Sequence, residues 1–84
     1  MNLVFLLYDY AEHGPENLVA TLDRQKLMGL VDNNWADAPA DWLAQGKAGL
    51  ARLLELSDQQ LFERRGGCCH DGWGGMALDV VKLA

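Results

Sequence analysis

Six apolar residues follow one another in the stretch Leu3–Tyr10, which is bounded by the polar Asn2 and interrupted by Asp9 only near its end. The stretch has the length of a strand rather than of a helix, and it is rich in aromatic and branched side chains. Apolar side chains point to both sides of this strand. Both faces must therefore be covered, either by the rest of the chain or, on one face, by a partner. The pattern predicts a buried central strand around which the rest of the chain is organised.

The next segment predicts a second strand. Residues 11–17 hold several turn-forming residues, so the chain should reverse there. Leu18, Ala20 and Leu22 then share one face, with Val19 on the other. This alternation is typical of a half-buried strand, antiparallel to the first.

Helical patterns fill the middle of the chain. Asp23 is a good N-cap for a first helix over residues 24–34, which carries an apolar stripe. A second helix is predicted over residues 40–56, with Pro39 in its first turn, where the missing N–H does no harm. Ser57 opens a capping-box sequence, which predicts a short third helix.

The last segment, Met76–Leu83, returns to strand composition and can pair beside the first strand as the other edge of the sheet. The element order becomes ββααβ with an extra helical turn. We therefore predict a single compact α+β domain over residues 1–84. It has a small three-stranded antiparallel sheet with two to three helices packed on one face.

The charge of the chain narrows the classes of partner. A net charge of −5 arises from 12 carboxylates against 7 Lys and Arg, and no basic run occurs. Direct nucleic-acid binding is therefore not expected, since the attraction to phosphates is missing. An acidic surface suits a protein partner with a basic groove.

The absence of a targeting signal and the cysteine usage both favour the cytoplasm. The N-terminus lacks a basic region, its apolar run is shorter than a signal-peptide core, and no stretch approaches a membrane span. The two cysteines, Cys68 and Cys69, are adjacent, so a disulfide between them would be strained and free thiols are expected. Free thiols fit a reducing compartment.

A glycine-rich loop, residues 66–75, contains the groups most suggestive of chemistry. This loop and the loop after the first strand together supply thiol, imidazole and carboxylate groups. They belong to Glu12, His13, Cys68, Cys69, His70 and Asp71. Zinc ligands usually come from cysteines two to four residues apart, and a Cys–His nucleophile needs an orienting group and a pocket. We favour a structural loop whose Trp73 covers a core edge, with no metal, no cofactor and no catalytic residue.

Acidic residues cluster around the hairpin and again around the turn between the first two helices, where tryptophans accompany them. One interpretation is a solvated face with helix caps. The other is a binding surface, in which aromatic side chains anchor and carboxylates meet Lys or Arg of a partner. The predicted partner-binding residues are Glu12, His13, Glu16, Asp32, Trp35, Asp37, Asp41 and Trp42.

At Tyr8–Asp23 and again at His70–Met76 the chain resembles short accessory proteins encoded by bacteriophages and prophages. Small acidic phage proteins of this size often bind host machinery, and anti-CRISPR proteins are one group of similar size and character. The resemblance covers about a third of the chain and transfers no functional residue.

Three hypotheses follow. The first is a phage-encoded, non-enzymatic inhibitor that binds a bacterial host complex, for example a type I CRISPR surveillance complex, through the acidic surface. The second is a structural or regulatory module that forms a homodimer through a sheet edge, since an uncovered edge is a pairing template. The third is a metal- or thiol-dependent enzyme.

Overall fold

The computed structural model describes residues 2–11, 14–64 and 75–83, and within them it shows one three-stranded antiparallel sheet. The strands are β1 (Leu3–Ala11), β2 (Gly14–Thr21) and β3 (Met76–Lys82), in the spatial order β2-β1-β3. The predicted α+β class is confirmed. The first strand is central, and the C-terminal strand is the opposite edge.

Strand β2 begins earlier than predicted, because the residues before Leu18 form a β-bulge within the strand rather than a loop. Leu7 pairs with Val19 and Asp9 pairs with Glu16, so two residues of β2 lie opposite one residue of β1. One of those two, Asn17, has a positive φ of 54°. Asparagine tolerates this left-handed conformation better than most residues, so the pairing continues to Gly14.

The helices lie between β2 and β3 in the chain, in the predicted order. A 3-10 turn (Arg24–Lys26) leads into α1 (Leu27–Asn34), then come α2 (Ala40–Leu53) and α3 (Asp58–Glu63). The side chain of Asp23 accepts a hydrogen bond from the backbone N–H of Gln25, so the predicted N-cap is confirmed. The capping box of α3 is also present, formed by Ser57 and Gln60.

Helix α2 differs from the prediction at both ends. Pro39 is its N-cap rather than a residue of its first turn, and the helix ends at Leu53 rather than at Leu56. The Nη2 atom of Arg24 donates to the backbone carbonyls of both Leu54 and Leu56, at 2.8 Å each. A side chain from another element thereby satisfies carbonyls that a helix end leaves open.

The helices bury one face of the sheet, here called the inner face, which carries Phe5 and Leu7 of β1. Leu7 is fully buried and Phe5 is 3% exposed. Residues opposite each other in antiparallel strands share a face, so β3 contributes its own buried residues there. The buried hydrophobic cluster contains Leu3, Phe5, Leu7, Leu27, Val31, Trp35, Leu50, Leu61, Met76 and Leu78.

Helix α2 approaches β3 closely at Gly46. A Cβ atom at this position would lie 3.1 Å from the Cε atom of Met76, which is itself fully buried. The glycine therefore lets the helix axis come near the strand. Gly49 is also buried in this helix.

The opposite face, here called the outer face, carries Leu6 and Tyr8 of β1. It exposes apolar side chains at both edges of the sheet: Leu18 is 58% exposed and Val81 44%. Val19, rather than its two neighbours in β2, packs against the core. The half-buried strand that the sequence predicted thus turns its more apolar side outward.

Candidate interaction surface at the acidic end

The fold brings together two acidic clusters that are separate in the sequence. Trp35, the C-cap of α1, donates a hydrogen bond from its indole Nε1 to Oδ1 of Asp9 in β1. Asp9 is paired in the sheet with Glu16 of β2. The hairpin carboxylates and the turn between α1 and α2 therefore meet at one end of the domain. We call this the acidic end, and it comprises Asp9, Glu16, Asp32, Asp37 and Asp41.

Asp9 has a structural position at this end. Its Oδ2 atom accepts a second hydrogen bond, at 2.7 Å, from Nδ2 of Asn17, while Trp35 binds the other oxygen. Both carboxylate oxygens are thus held by donors from two different elements. A charged acceptor makes such bonds stronger than neutral ones, so Asp9 ties the hairpin to the end of α1.

Asp32 forms a salt bridge with Lys47. Its Oδ1 atom lies 2.7 Å from Nζ of Lys47, which joins α1 to α2. The two side chains are 52% and 37% exposed, respectively, so solvent screens the pair and its contribution to stability is small. The pair fixes the position of Asp32 and offsets part of its charge.

The other acidic residues of this end are open to solvent. Asp37, Asp41 and Glu16 are all exposed. Asp41 lies in the first turn of α2, where the partial positive charge of the helix N-terminus favours a carboxylate. These three side chains are accessible to a partner with basic groups.

The two tryptophans of the predicted surface have different positions. Trp35 is only 5% exposed and belongs to the buried cluster, so it positions Asp9 and does not offer a ring to a partner. Trp42 is partly buried at the edge of the core. Two further predicted residues, Glu12 and His13, lie outside the described residues.

The other end of the domain has a small excess of cations, four against three carboxylates. Here Arg24 forms an ion pair with Asp58 at 2.7 Å, next to the end of α2. Lys82 lies at the same end, because it pairs with Leu3 at the start of β1. We call this the basic end, and its cations are Arg24, Lys26, Arg52 and Lys82, beside the carboxylates Asp23, Glu55 and Asp58.

Two shallow grooves lie away from the acidic end. One, of about 270 Å³, follows the outer edge of β3 beside Leu61 and Arg64. The other, of about 330 Å³, lies at the basic end beside Leu22 and Asp58. Neither groove is lined by a residue of the acidic end.

The glycine-rich loop carries the thiol and imidazole groups that suggest metal or thiol chemistry. Cys68, Cys69, His70, Asp71 and Trp73 all lie outside the described residues. Within residues 2–11, 14–64 and 75–83, no group of three or more His, Cys, Asp or Glu side chains is placed to hold a metal ion. The hypothesis of a metal- or thiol-dependent enzyme therefore stays a prediction about that loop.

The comparisons with known proteins give no relative. The chain has no significant match to a protein-family model, to a curated protein or to a solved structure. Among the helices that the structure describes, none has the length and apolar character required to cross a membrane. The geometry of the described residues is therefore the basis for any functional proposal.

Proposed function

We propose that this protein is a non-enzymatic inhibitor that binds a bacterial host complex through its acidic end. The observation that carries the proposal is the convergence of two acidic clusters through the hydrogen bond between Trp35 and Asp9. Exposed carboxylates on β2, on α1, in the turn that follows it and at the start of α2 form one negative surface on a rigid frame. A matching partner has a groove lined by Lys or Arg.

The charge distribution supports a steered encounter. The chain has a net charge of −5, and the cations of the basic end lie away from the acidic surface. Such separation orients the molecule in the field of a basic partner and raises the rate of association. Complexes that handle nucleic acid carry basic grooves, so a CRISPR surveillance complex fits this description, in line with the resemblance to phage proteins.

The test is a charge-removal variant at the acidic end, Asp32→Asn/Asp37→Asn/Asp41→Asn. The partner is first captured from bacterial lysate with the tagged wild-type chain, and association is then measured by biolayer interferometry at several salt concentrations. We expect the association rate to fall by about tenfold or more at low salt, with a smaller difference at high salt.

A matched control removes three carboxylates elsewhere, as Glu55→Gln/Asp58→Asn/Glu63→Gln. It changes the net charge equally and also breaks one surface ion pair, since Asp58 is bound to Arg24 as Asp32 is bound to Lys47. Equal slowing by both variants would mean that only net charge matters. Unchanged association of the first variant would remove the acidic end as the binding surface.

A further inference from the structure

One hydrogen bond fixes the direction of the backbone groups along β3. The N–H of Leu83 donates to the carbonyl of Asn2 at 2.9 Å. These two residues continue the register in which Leu3 pairs with Lys82. They therefore form a hydrogen-bonded pair of the antiparallel ladder, and pairs of this type alternate with non-bonded pairs along the strands.

This alternation determines which residues of β3 direct their backbone N–H and C=O groups away from β1, toward the outer edge of the sheet. Asp79 and Val81 direct their N–H and C=O groups toward β1. Leu78 and Val80 direct theirs away from β1, and within the described residues no strand pairs with them. The burial of β3 falls along its length, from buried at Leu78 to exposed at Val81. The accessible part of this edge is therefore centred on Val80.

The edge formed by β2 is different because it carries features that prevent pairing. Pro15 pairs with Tyr10 at a position where its backbone nitrogen faces outward, and it has no N–H to offer. The bulge at Asn17 bends the strand, and Glu16 adds a charge. Strand β3 has no proline, and its pairing with β1 continues without a register shift.

We propose that the outer edge of β3, with which no strand of the described residues pairs, pairs antiparallel with the β3 edge of a second copy of this chain. The two sheets then form one six-stranded sheet in the order β2-β1-β3-β3-β1-β2. The twofold axis passes through Val80, whose N–H and C=O bond to those of Val80 in the second copy. Because the β2 edges resist pairing, the assembly closes as a dimer and does not extend into fibres.

Charge along the strand opposes one neighbouring register. With Val80 on the axis, Asp79 lies opposite Val81 of the second copy, and Leu78 lies opposite Lys82. A shift of one residue that placed Asp79 on the axis would set two carboxylates directly opposite each other, which destabilises a strand pair. The Asp79 carboxylate is also held on its own sheet, since it accepts a hydrogen bond of 2.7 Å from the Tyr8 hydroxyl.

The two ends of the domain make a second copy a suitable occupant despite the net charge of −5. Strand β3 runs from the acidic end, where Met76 pairs with Asp9, to the basic end, where Lys82 pairs with Leu3. Antiparallel pairing therefore brings the acidic end of each copy toward the basic end of the other. The two acidic ends lie on opposite sides of the dimer, and both stay accessible.

The first test removes one outward donor by the substitution Val80→Pro. This N–H faces away from β1, so proline costs no bond within the sheet, and the matched control Ala20→Pro removes an outward N–H from the β2 edge. Sedimentation equilibrium from about 10 μM to 1 mM should show the wild type and Ala20→Pro passing from 9.3 kDa to twice that mass. We expect Val80→Pro to dimerise at least about tenfold more weakly, because symmetry removes two bonds.

The second test uses charge at an exposed position and does not depend on proline being tolerated. In the proposed register Val81 faces Asp79 of the second copy, so Val81→Lys creates two ion pairs and Val81→Asp creates two repulsive pairs. We expect Val81→Lys to dimerise at least about threefold more tightly than Val81→Asp at low salt.

Several outcomes would overturn the proposal. A wild-type chain that stays at 9.3 kDa throughout the concentration range has no such dimer. Dimerisation of Val80→Pro equal to that of the wild type, with a native circular dichroism spectrum, would exclude this edge. Loss of the dimer in Ala20→Pro alone would assign the pairing to β2, and equal behaviour of the two Val81 variants would exclude this register.

Discussion

Leu6 and Leu7 are neighbours in the central strand, yet the fold uses them differently. Leu7 lies on the inner face, fully buried beneath the helices, whereas Leu6 lies on the outer face and is only partly buried. The same contrast holds at the edge, where Val19 packs against the core and Leu18 is 58% exposed. The type of an apolar residue in this sheet therefore does not by itself indicate whether its side chain is buried.

The difference shows that the pleat of the sheet separates positions that stabilise the fold from positions that contribute little to it. The inner face holds the buried cluster from which a small domain derives most of its stability. The outer face and the β3 edge hold apolar side chains and backbone groups that contribute less to the monomer. Substitutions on the two faces should thus give effects of very different size.

The largest effect is expected on the inner face. Leu7→Ala removes a fully buried side chain from the centre of the core, which should lower the free energy of unfolding by about 3 kcal/mol. Leu6→Ala makes the same chemical change one residue away on the outer face and should cost about 1 kcal/mol. Urea denaturation followed by circular dichroism measures both, and equal losses would contradict the contrast between the faces.

A smaller effect is expected at the hydrogen bond between Trp35 and the Asp9 carboxylate on the inner face. Trp35→Phe keeps most of the buried ring but removes the indole donor to Asp9, leaving one partly buried oxygen without that bond. We expect a loss of about 1 to 2 kcal/mol in the free energy of unfolding. In the background of Asp9→Asn the same substitution should cost less, and a double-mutant cycle gives the coupling.

Local sequence signals predicted the elements well. The caps at Asp23 and Ser57, and the apolar run of β1, depend on residues close in the chain, and all are confirmed. The face that the helices cover was not predictable from these signals. Because the bulge at Asn17 shifts the register, the alternation from Leu18 to Leu22 fits either orientation until β2 is paired with β1.

The acidic end could be predicted only in part. The exposed Asp37 and Asp41 lie close in sequence, so the sequence alone predicts them as one cluster. Their proximity to the hairpin depends on the hydrogen bond between Trp35 and Asp9, which joins residues 26 positions apart. No spacing rule connects such residues, and the buried position of Trp35 follows from the packing of α1 on the sheet.

The smallest effect is expected at exposed leucines of β2 and of the turn after it. Leu18→Thr/Leu22→Thr replaces the two side chains that are 58% and 69% exposed. Their inward neighbour Val19 is untouched, so the free energy of unfolding should change by less than about 0.5 kcal/mol. Urea denaturation at low protein concentration is the measurement, with Val19→Thr as the control that should cost more. A loss above about 1 kcal/mol in the double variant would mean that these leucines are buried in solution, and the outer face would then be part of the folding core.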